Sequence, residues 1–302
     1  HIGAPADPTV KVGDSVKKGQ VIARRQGVVS AAQHAPTSGR VVAITDIPAP
    51  HASGLPQPTL VIEPDGLDEW GELPSPIADP FVVAREVIAE RVAQSGIVGM
   101  GGATFPSAVK LNLGTQHKLE VLVINGAECE PYLTCDDRVM QEYADEVIDG
   151  ARIMAHALGA PKVIIGVEDN KPQAIAAMGR FAARQGNVDV AVVPVQYPMG
   201  AERQLAQAVT GRETPARHLT AEIGVVVHNA STARAVHQAV RLGRPLISRV
   251  VTVSGQAVRE PKNVEAPIGA RVADLIDFCG GFSCPPWRLV NGGPMMLSLI
   301  HI

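Results

Sequence analysis

Aromatic side chains make up only 3% of this chain, and neither sign of charge dominates: 27 Lys and Arg against 30 Asp and Glu leave −3. Nucleic-acid partners leave the opposite footprint, a basic excess with aromatic platforms for the bases. Nucleic acid is therefore not an expected partner. Long apolar runs are missing as well. No stretch approaches the roughly 20 apolar residues that span a bilayer, and no charged-then-apolar opening marks a signal peptide. The expectation is a chain without a transmembrane segment. Cysteine is rare too: Cys129, Cys135, Cys279 and Cys284 never fall in a C-x-x-C spacing. Cys279 and Cys284 flank Gly280-Gly281-Phe282-Ser283, at most half of a metal site with no matching half. They read as reduced cysteines of a cytosolic protein, and no metal ligands are expected. No initiator Met precedes His1, which reads as a fragment of a longer protein.

What is abundant is punctuation, with 29 Gly and 24 Pro, and it divides the chain into segments. Residues 1–66 read as short strands. Turns at Gly13-Asp14 and Lys18-Gly19 are flanked by alternating apolar residues, and Ala35–Ile44 repeats the same logic. The two phrases resemble the barrel-sandwich fold of biotinyl and lipoyl carriers. Those carriers need an exposed lysine between the phrases, yet Arg24–His34 contains none. A structural or docking module is the better reading. Residues 67–80, rich in Pro, Gly and acid, read as a linker.

From Phe81 to Gly243 strand and helix signals alternate. Strands are expected at Leu119–Ile124, Val163–Val167, Val188–Val193 and Ile223–Val227. Helices are expected at Asp137–Leu158, Pro172–Arg184, Glu202–Ala208 and Ala230–Leu242. Apolar strands separated by helices predict an α/β domain with a parallel, Rossmann-like sheet. Residues 244–302 turn β-rich again: a strand at Arg249–Ser254, another at Gln256–Val258 and a helix at Ala273–Cys279, resembling a β-grasp module.

Chemistry concentrates in the middle segment. Gly96, Gly99, Gly101 and Gly102 form a loop ahead of a helix expected near Pro106. Residues without Cβ let a backbone approach a phosphate or planar ring, and the helix start supplies free N–H groups. Lys110 follows one turn later, in reach of an anion. The loop fits neither the dinucleotide nor the P-loop fingerprint, so a tight interhelical turn is an equal reading of it alone. Three polar clusters shift the balance, each directly after an expected strand. They are Asn125-Gly126-Ala127-Glu128-Cys129-Glu130, Tyr197-Pro198-Met199-Gly200-Ala201-Glu202 and His228-Asn229-Ala230-Ser231-Thr232. Ligands of open parallel sheets bind at the carboxyl ends of strands. Asn125 can bond a ring edge, Glu128 or Glu130 ribose hydroxyls, and Ser231 or Thr232 can cap a helix and hold phosphate.

These phrases, Gly-Met-Gly-Gly-Ala-Thr-Phe-Pro-Ser, Ile-Asn-Gly-Ala-Glu-Cys-Glu-Pro, Tyr-Pro-Met-Gly-Ala-Glu and the late Gly-Gly-Pro-Met-Met, resemble the RnfC (RsxC) family. That family is the peripheral subunit of an ion-translocating electron transport complex. The middle segment is similar to the flavin subunit of respiratory complex I, the first to the RnfC barrel-sandwich hybrid domain, and the last to its β-grasp (SLBB) domain. The resemblance implies that Gly99, Gly101, Gly102, Lys110, Asn125, Gly200, Asn229 and Thr232 hold FMN. It implies that Phe105, Glu130 and Glu202 surround NADH. Ala127 and Ala201 stand where complex I carries acids, and His228 where it carries an asparagine. The implied activity is NADH oxidation through FMN towards [4Fe-4S] clusters, with no acid–base residue required. The cluster ligands of the family lie beyond Met296, outside this chain, and Leu297–Ile302 departs from the family pattern. The other Rnf subunits are the implied partners, and the cytoplasmic face of the inner membrane the implied place. Two alternatives stay open: an RnfC-like cobalamin reductase, and a non-catalytic docking subunit that has lost flavin.

Overall fold

A computed structural model describes residues 2–48 and 54–295, together with the backbone of 298–300. Met296 and Leu297, which close the Gly-Gly-Pro-Met-Met phrase and open the divergent end, lie outside the described residues, as do His301 and Ile302.

The chain starts with six strands: β1 (Asp7–Pro8), β2 (Ser15–Val16), β3 (Val21–Arg24), β4 (Gln33–His34), β5 (Gly39–Pro48) and β6 (Pro56–Pro64). They form two antiparallel three-stranded sheets, β1-β3-β4 and β2-β5-β6. Alternation sends Val10, Val16, Ile22, Ala35 and Val41 into a small core between them. So small a core gains from neighbours. Arg25 pairs with Glu90 of the next domain at 3.0 Å, and the carbonyl of Ala32 lies against Gly96.

Residues 67–80 run as a strap along both neighbours. Lys18 donates its N–H to the Glu69 carbonyl and Ile77 its own to Val240, each at 2.8 Å. The guanidinium of Arg91 reaches the Ser75 carbonyl at 2.9 Å.

The central domain follows as α1 (Arg85–Gln94), α2 (Ser107–Leu111), β7 (Val121–Gly126), α3 (Cys135–Glu142), α4 (Ala144–Leu158), β8 (Lys162–Glu168), α5 (Pro172–Ala182), β9 (Val188–Val193), α6 (Glu202–Thr210), β10 (Val225–Asn229) and α7 (Ala230–Arg241). All four strands are parallel, in the order β10-β7-β8-β9. Both faces are covered, which is why the strands are apolar throughout. Leu122, Ile124, Val163 and Ile165 pack into the larger core with α1, α4, α5 and α7. Val121, Val123, Ile164 and Val227 face the other way, towards Leu205 of α6 and Met199. In α4, Gly150 lets α7 come close: a Cβ there would stand 1.9 Å from the Ala233 carbonyl oxygen.

The helix expected over Asp137–Leu158 is two helices. Tyr143 leaves helical geometry at φ −127° and ψ 35°, and its ring takes the Arg234 guanidinium 3.6 Å from its centroid. The break lets α3 and α4 turn to different partners.

The last segment holds β11 (Ser248–Val253), β12 (Lys262–Pro267), α8 (Val272–Phe278), β13 (Leu289–Asn291) and β14 (Ser298–Ile300). The strand expected at Gln256–Val258 is a turn, with φ +116° at Gly255. The antiparallel partner of β11 is β12.

Candidate functional site

Strand order locates the site before any side chain does. The chain runs from β7 outward to β8 and β9, then returns to β10 on the opposite flank of β7. Connections on either side of β7 therefore leave in opposite directions and open a crevice at the carboxyl ends of β7 and β10, the position where open α/β sheets bind ligands. The parallel register sets Asn125 directly beside Asn229 at that edge.

The two asparagines do different work. Asn125 holds the turn that leaves β7: its Oδ1 accepts the Ala127 N–H at 3.0 Å and its Nδ2 donates to the Gly200 carbonyl at 2.8 Å. It thereby ties the β7 cluster to the one before α6. Asn229 caps α7, its Oδ1 accepting the Thr232 N–H at 3.2 Å. The cap expected at Ser231 or Thr232 is thus supplied by Asn229. The buried Thr232 hydroxyl accepts the Met100 N–H at 3.0 Å instead, pinning the glycine-rich loop to the start of α7.

That loop closes on itself through the Gly99 N–H and the Phe105 carbonyl at 2.8 Å. Its glycines have separable reasons. Gly102 sits at φ +112°, which side chains avoid, and a Cβ there would meet nothing within 4 Å. Gly99 and Gly101 have no such backbone constraint, and the nearest atoms to their Cβ positions would be 3.6 and 3.5 Å away. Nothing in the protein itself forbids side chains at these two. The bare backbone leaves room on the loop's face for a close-approaching group. Gly200 is the opposite case, because a Cβ there would stand 2.4 Å from the Ala127 carbonyl oxygen.

One rim of the crevice is cationic and half-exposed. The Lys110 ammonium lies 2.9 Å from Glu202 and 3.0 Å from the Val227 carbonyl. The second oxygen of Glu202 accepts the Thr220 hydroxyl at 2.8 Å. Beside it His228 is buried, and its Nε2 has no partner. Burial, with the Lys110 charge, holds its pKa well below the usual range, so the ring is neutral.

The other rim is acidic and half-buried. Asp136 accepts the Asn229 side-chain amide and the Ser231 hydroxyl, each at 2.6 Å. Glu128 reaches across to cap α3, accepting the N–H groups of Asp136 and Asp137 at 3.1 and 3.2 Å and the Cys135 thiol at 3.2 Å. Burial, reinforced by the neighbouring Asp136, pushes the Glu128 carboxyl up to about 7. Asp136 is also raised by burial, against hydrogen bonds from Ser231 and Asn229. Neither Asp136 nor the buried Glu168 at the end of β8 stands out in the sequence. Asp136 looks like an ordinary acid at a helix start, and Glu168 like the polar end of a strand. Strand-end position was the available signal for Glu168, whose Oε1 is buried without a partner.

The site residues expected from sequence fall into linked groups. Gly99, Gly101, Gly102 and Phe105 share the loop that Thr232 and Asn229 border. Asn125 and Gly200 are bonded to each other, as are Lys110 and Glu202. Glu130 stands apart: its Oε2 accepts the Met295 N–H at 2.8 Å, and its Oε1 is buried without a partner. Gly102 faces open space, Gly99 and Gly101 add no side chain beside it, and Lys110 stands at the edge, an arrangement that suits a planar ring bearing a phosphate. Among the described residues no cluster of His, Cys, Asp and Glu could hold a metal ion, and no helix is long and apolar enough to cross a membrane.

Comparison with known proteins matches residues 1–67 to the RnfC barrel sandwich hybrid domain, 92–238 to the Nuo51 FMN-binding domain and 250–297 to the SLBB domain. The chain is 59% identical over 297 residues to the C-subunit of the ion-translocating oxidoreductase complex of Rhodobacter capsulatus, covering 98% of itself and 57% of that relative. It is 48% identical over 297 residues to the C-subunit of the proton-translocating ferredoxin:NAD(+) oxidoreductase complex of Clostridium ljungdahlii, covering 98% of itself and 64% of that protein. Among solved structures, an NAD+-reducing [NiFe]-hydrogenase in its H2-reduced state superposes with a TM-score of 0.62 at 24% identity, over 75% of this chain and 45% of that one. The last likeness is one of fold.

Proposed function

The chain belongs to the RnfC family, the C-subunits of the ion-translocating oxidoreductase complexes, and from that premise we propose that its central domain binds FMN and oxidises NADH. The observation that carries the reading is the crevice at the strand-order reversal, where Asn125 and Asn229 stand side by side at a loop whose Gly102 faces open space and whose Gly99 and Gly101 carry no side chain. When bound, FMN supplies the chemistry, taking two electrons as hydride from NADH and returning them singly to iron–sulfur clusters elsewhere in the assembled protein.

The protein's share is binding and alignment. Gly99, Gly101 and Gly102 present bare backbone to the ring. Asn229 and Thr232 fix that loop against α7, and Asn125 with Gly200 fixes the opposite lip. Lys110, held here by Glu202 and the Val227 carbonyl, would hold the anionic part of the cofactor. Phe105 and Glu202 line the approach of NADH, and Glu130 would join them by releasing its bond to the Met295 N–H. His228, neutral and buried, keeps a second positive charge away from Lys110. The protein is peripheral, on the cytoplasmic face of the membrane, and hands its electrons to the other subunits of the complex.

Purified chain titrated with FMN is expected to bind it and to show the flavin absorbance bleached by NADH. No binding at saturating FMN would sink this reading and leave a docking subunit that has lost the cofactor.

A further inference from the structure

A cavity of about 320 Å³ lies beside the flavin crevice, at the junction of all three modules, with Met100 of the glycine-rich loop and Ser231 in its lining. That volume is in the range of small-molecule sites. Its walls come from Lys18 and Trp70 on the N-terminal side, Gln238 of α7, and Arg244, Ser248 and Arg249 of the C-terminal segment. Most other charges around it are already spent. Lys18 bonds Asp68 at 2.5 Å, Arg234 pairs with Glu146 at 3.0 Å and lies 3.7 Å from Glu265, and Glu265 accepts the Ser248 hydroxyl at 2.9 Å.

Two guanidinium groups have no direct carboxylate contact, although the Arg249 charge also acts on the nearby Asp136 carboxyl. Among the described residues neither Arg244 nor Arg249 has a carboxylate within ion-pair distance. Arg244 lies over the Trp70 ring, 5.5 Å from its centroid, which holds its planar fork at the cavity wall. Arg249 spends one nitrogen on the Met100 carbonyl at 3.1 Å, while its Nε is buried with no acceptor. A buried, charged donor without an acceptor is costly, and a planar fork with an open position is suited to an oxyanion.

We propose that this cavity is a second ligand site, for a small metabolite bearing a phosphate or carboxylate group held by Arg244 and Arg249. Arg249 carries its occupancy to the flavin loop. The link is short: Arg249 holds the Met100 carbonyl, and the Met100 N–H is held by Thr232 at the start of α7. An anion that turns the Arg249 fork shifts the backbone between Gly99 and Gly101. This second part rests on the FMN reading; the site itself does not.

The test begins with flavin-free, full-length chain titrated calorimetrically with inorganic pyrophosphate and, separately, with citrate, which distinguishes the phosphate from the carboxylate source. One of the two is expected to bind saturably, and Arg244→Gln and Arg249→Gln each to weaken it about tenfold or more. Arg244 is exposed, so its substitution reports on the site even where Arg249→Gln perturbs folding. Binding of neither probe, or binding that both variants leave unchanged, overturns the site. FMN is then titrated with the bound probe present, and a change of about threefold or more in FMN affinity is expected, lost in Arg249→Gln. An FMN affinity that ignores the bound anion overturns the coupling. A chain that binds the anion but not FMN overturns the flavin reading and the coupling, leaving the anion site.

Discussion

The two rims of the crevice hold charge in opposite ways. On one, Lys110 and Glu202 form a pair that water reaches, with side-chain exposures of 27% and 44%. On the other, Glu128 and Asp136 are two half-buried carboxyls, satisfied by N–H, hydroxyl and amide donors rather than by a cation in contact. An exposed pair contributes little to folding and exchanges partners at little cost. A desolvated acidic pair cannot ionise freely, and each member depends on its donors. The first rim suits ligand capture. The second holds α3 and α7 in place, and its charge state is set by pH.

The comparison breaks most visibly at Asp136. Replacing it in Asp136→Ala strands the Asn229 amide and the Ser231 hydroxyl, and is expected to cost about 2–4 kcal/mol in urea unfolding. A loss below about 1 kcal/mol would mean that the acidic rim does not hold α7. The next effect is a pH dependence. The folded pKa of Glu128 is raised to about 7 from an unfolded value near 4.5, so between those values the folded state binds the extra proton. Its contribution to stability is full below about pH 4.5 and fades as pH rises through about 7. Glu128→Gln should flatten that decline in urea melts taken across this window, whereas an unchanged slope would move the titration to another group.

The cationic rim should behave otherwise. Lys110→Ala is expected to change stability by less than about 1 kcal/mol while weakening FMN binding about tenfold. An unchanged flavin titration removes Lys110 from the site. Smallest of all, Glu202→Gln should leave stability within about 0.5 kcal/mol of the parent and raise the KM for NADH more than it lowers kcat. Equal losses in both would place Glu202 at the reacting atoms rather than on the approach.

The sheet was legible because its strands are apolar on both faces and end in polar clusters; Val188–Val193 is the same in sequence expectation and structure. The crevice was half legible. Asn125, Asn229 and the loop glycines could be singled out, but their adjacency needed strand order, which local periodicity does not carry. Asp136 was invisible because its role depends on Asn229 and Ser231, more than 90 residues away. β12 was missed because its alternation, Asn263-Val264-Glu265-Ala266, is short and bounded by Pro261 and Pro267. Those polar residues serve neighbours: Asn263 bonds Thr134 at the start of α3, and Glu265 faces Arg234.

Gly96 sets a constraint on inheritance. At φ +67° its missing Cβ leaves the space taken by the Ala32 carbonyl oxygen, 2.2 Å from where that carbon would stand. The fit joins a residue of the glycine-rich loop to the backbone of the N-terminal module, so the two surfaces must change together. A chimera that takes its first module from a distant relative would inherit a mismatched seam at the mouth of the loop. One that exchanges the module together with residues 96–105 carries both halves of the fit.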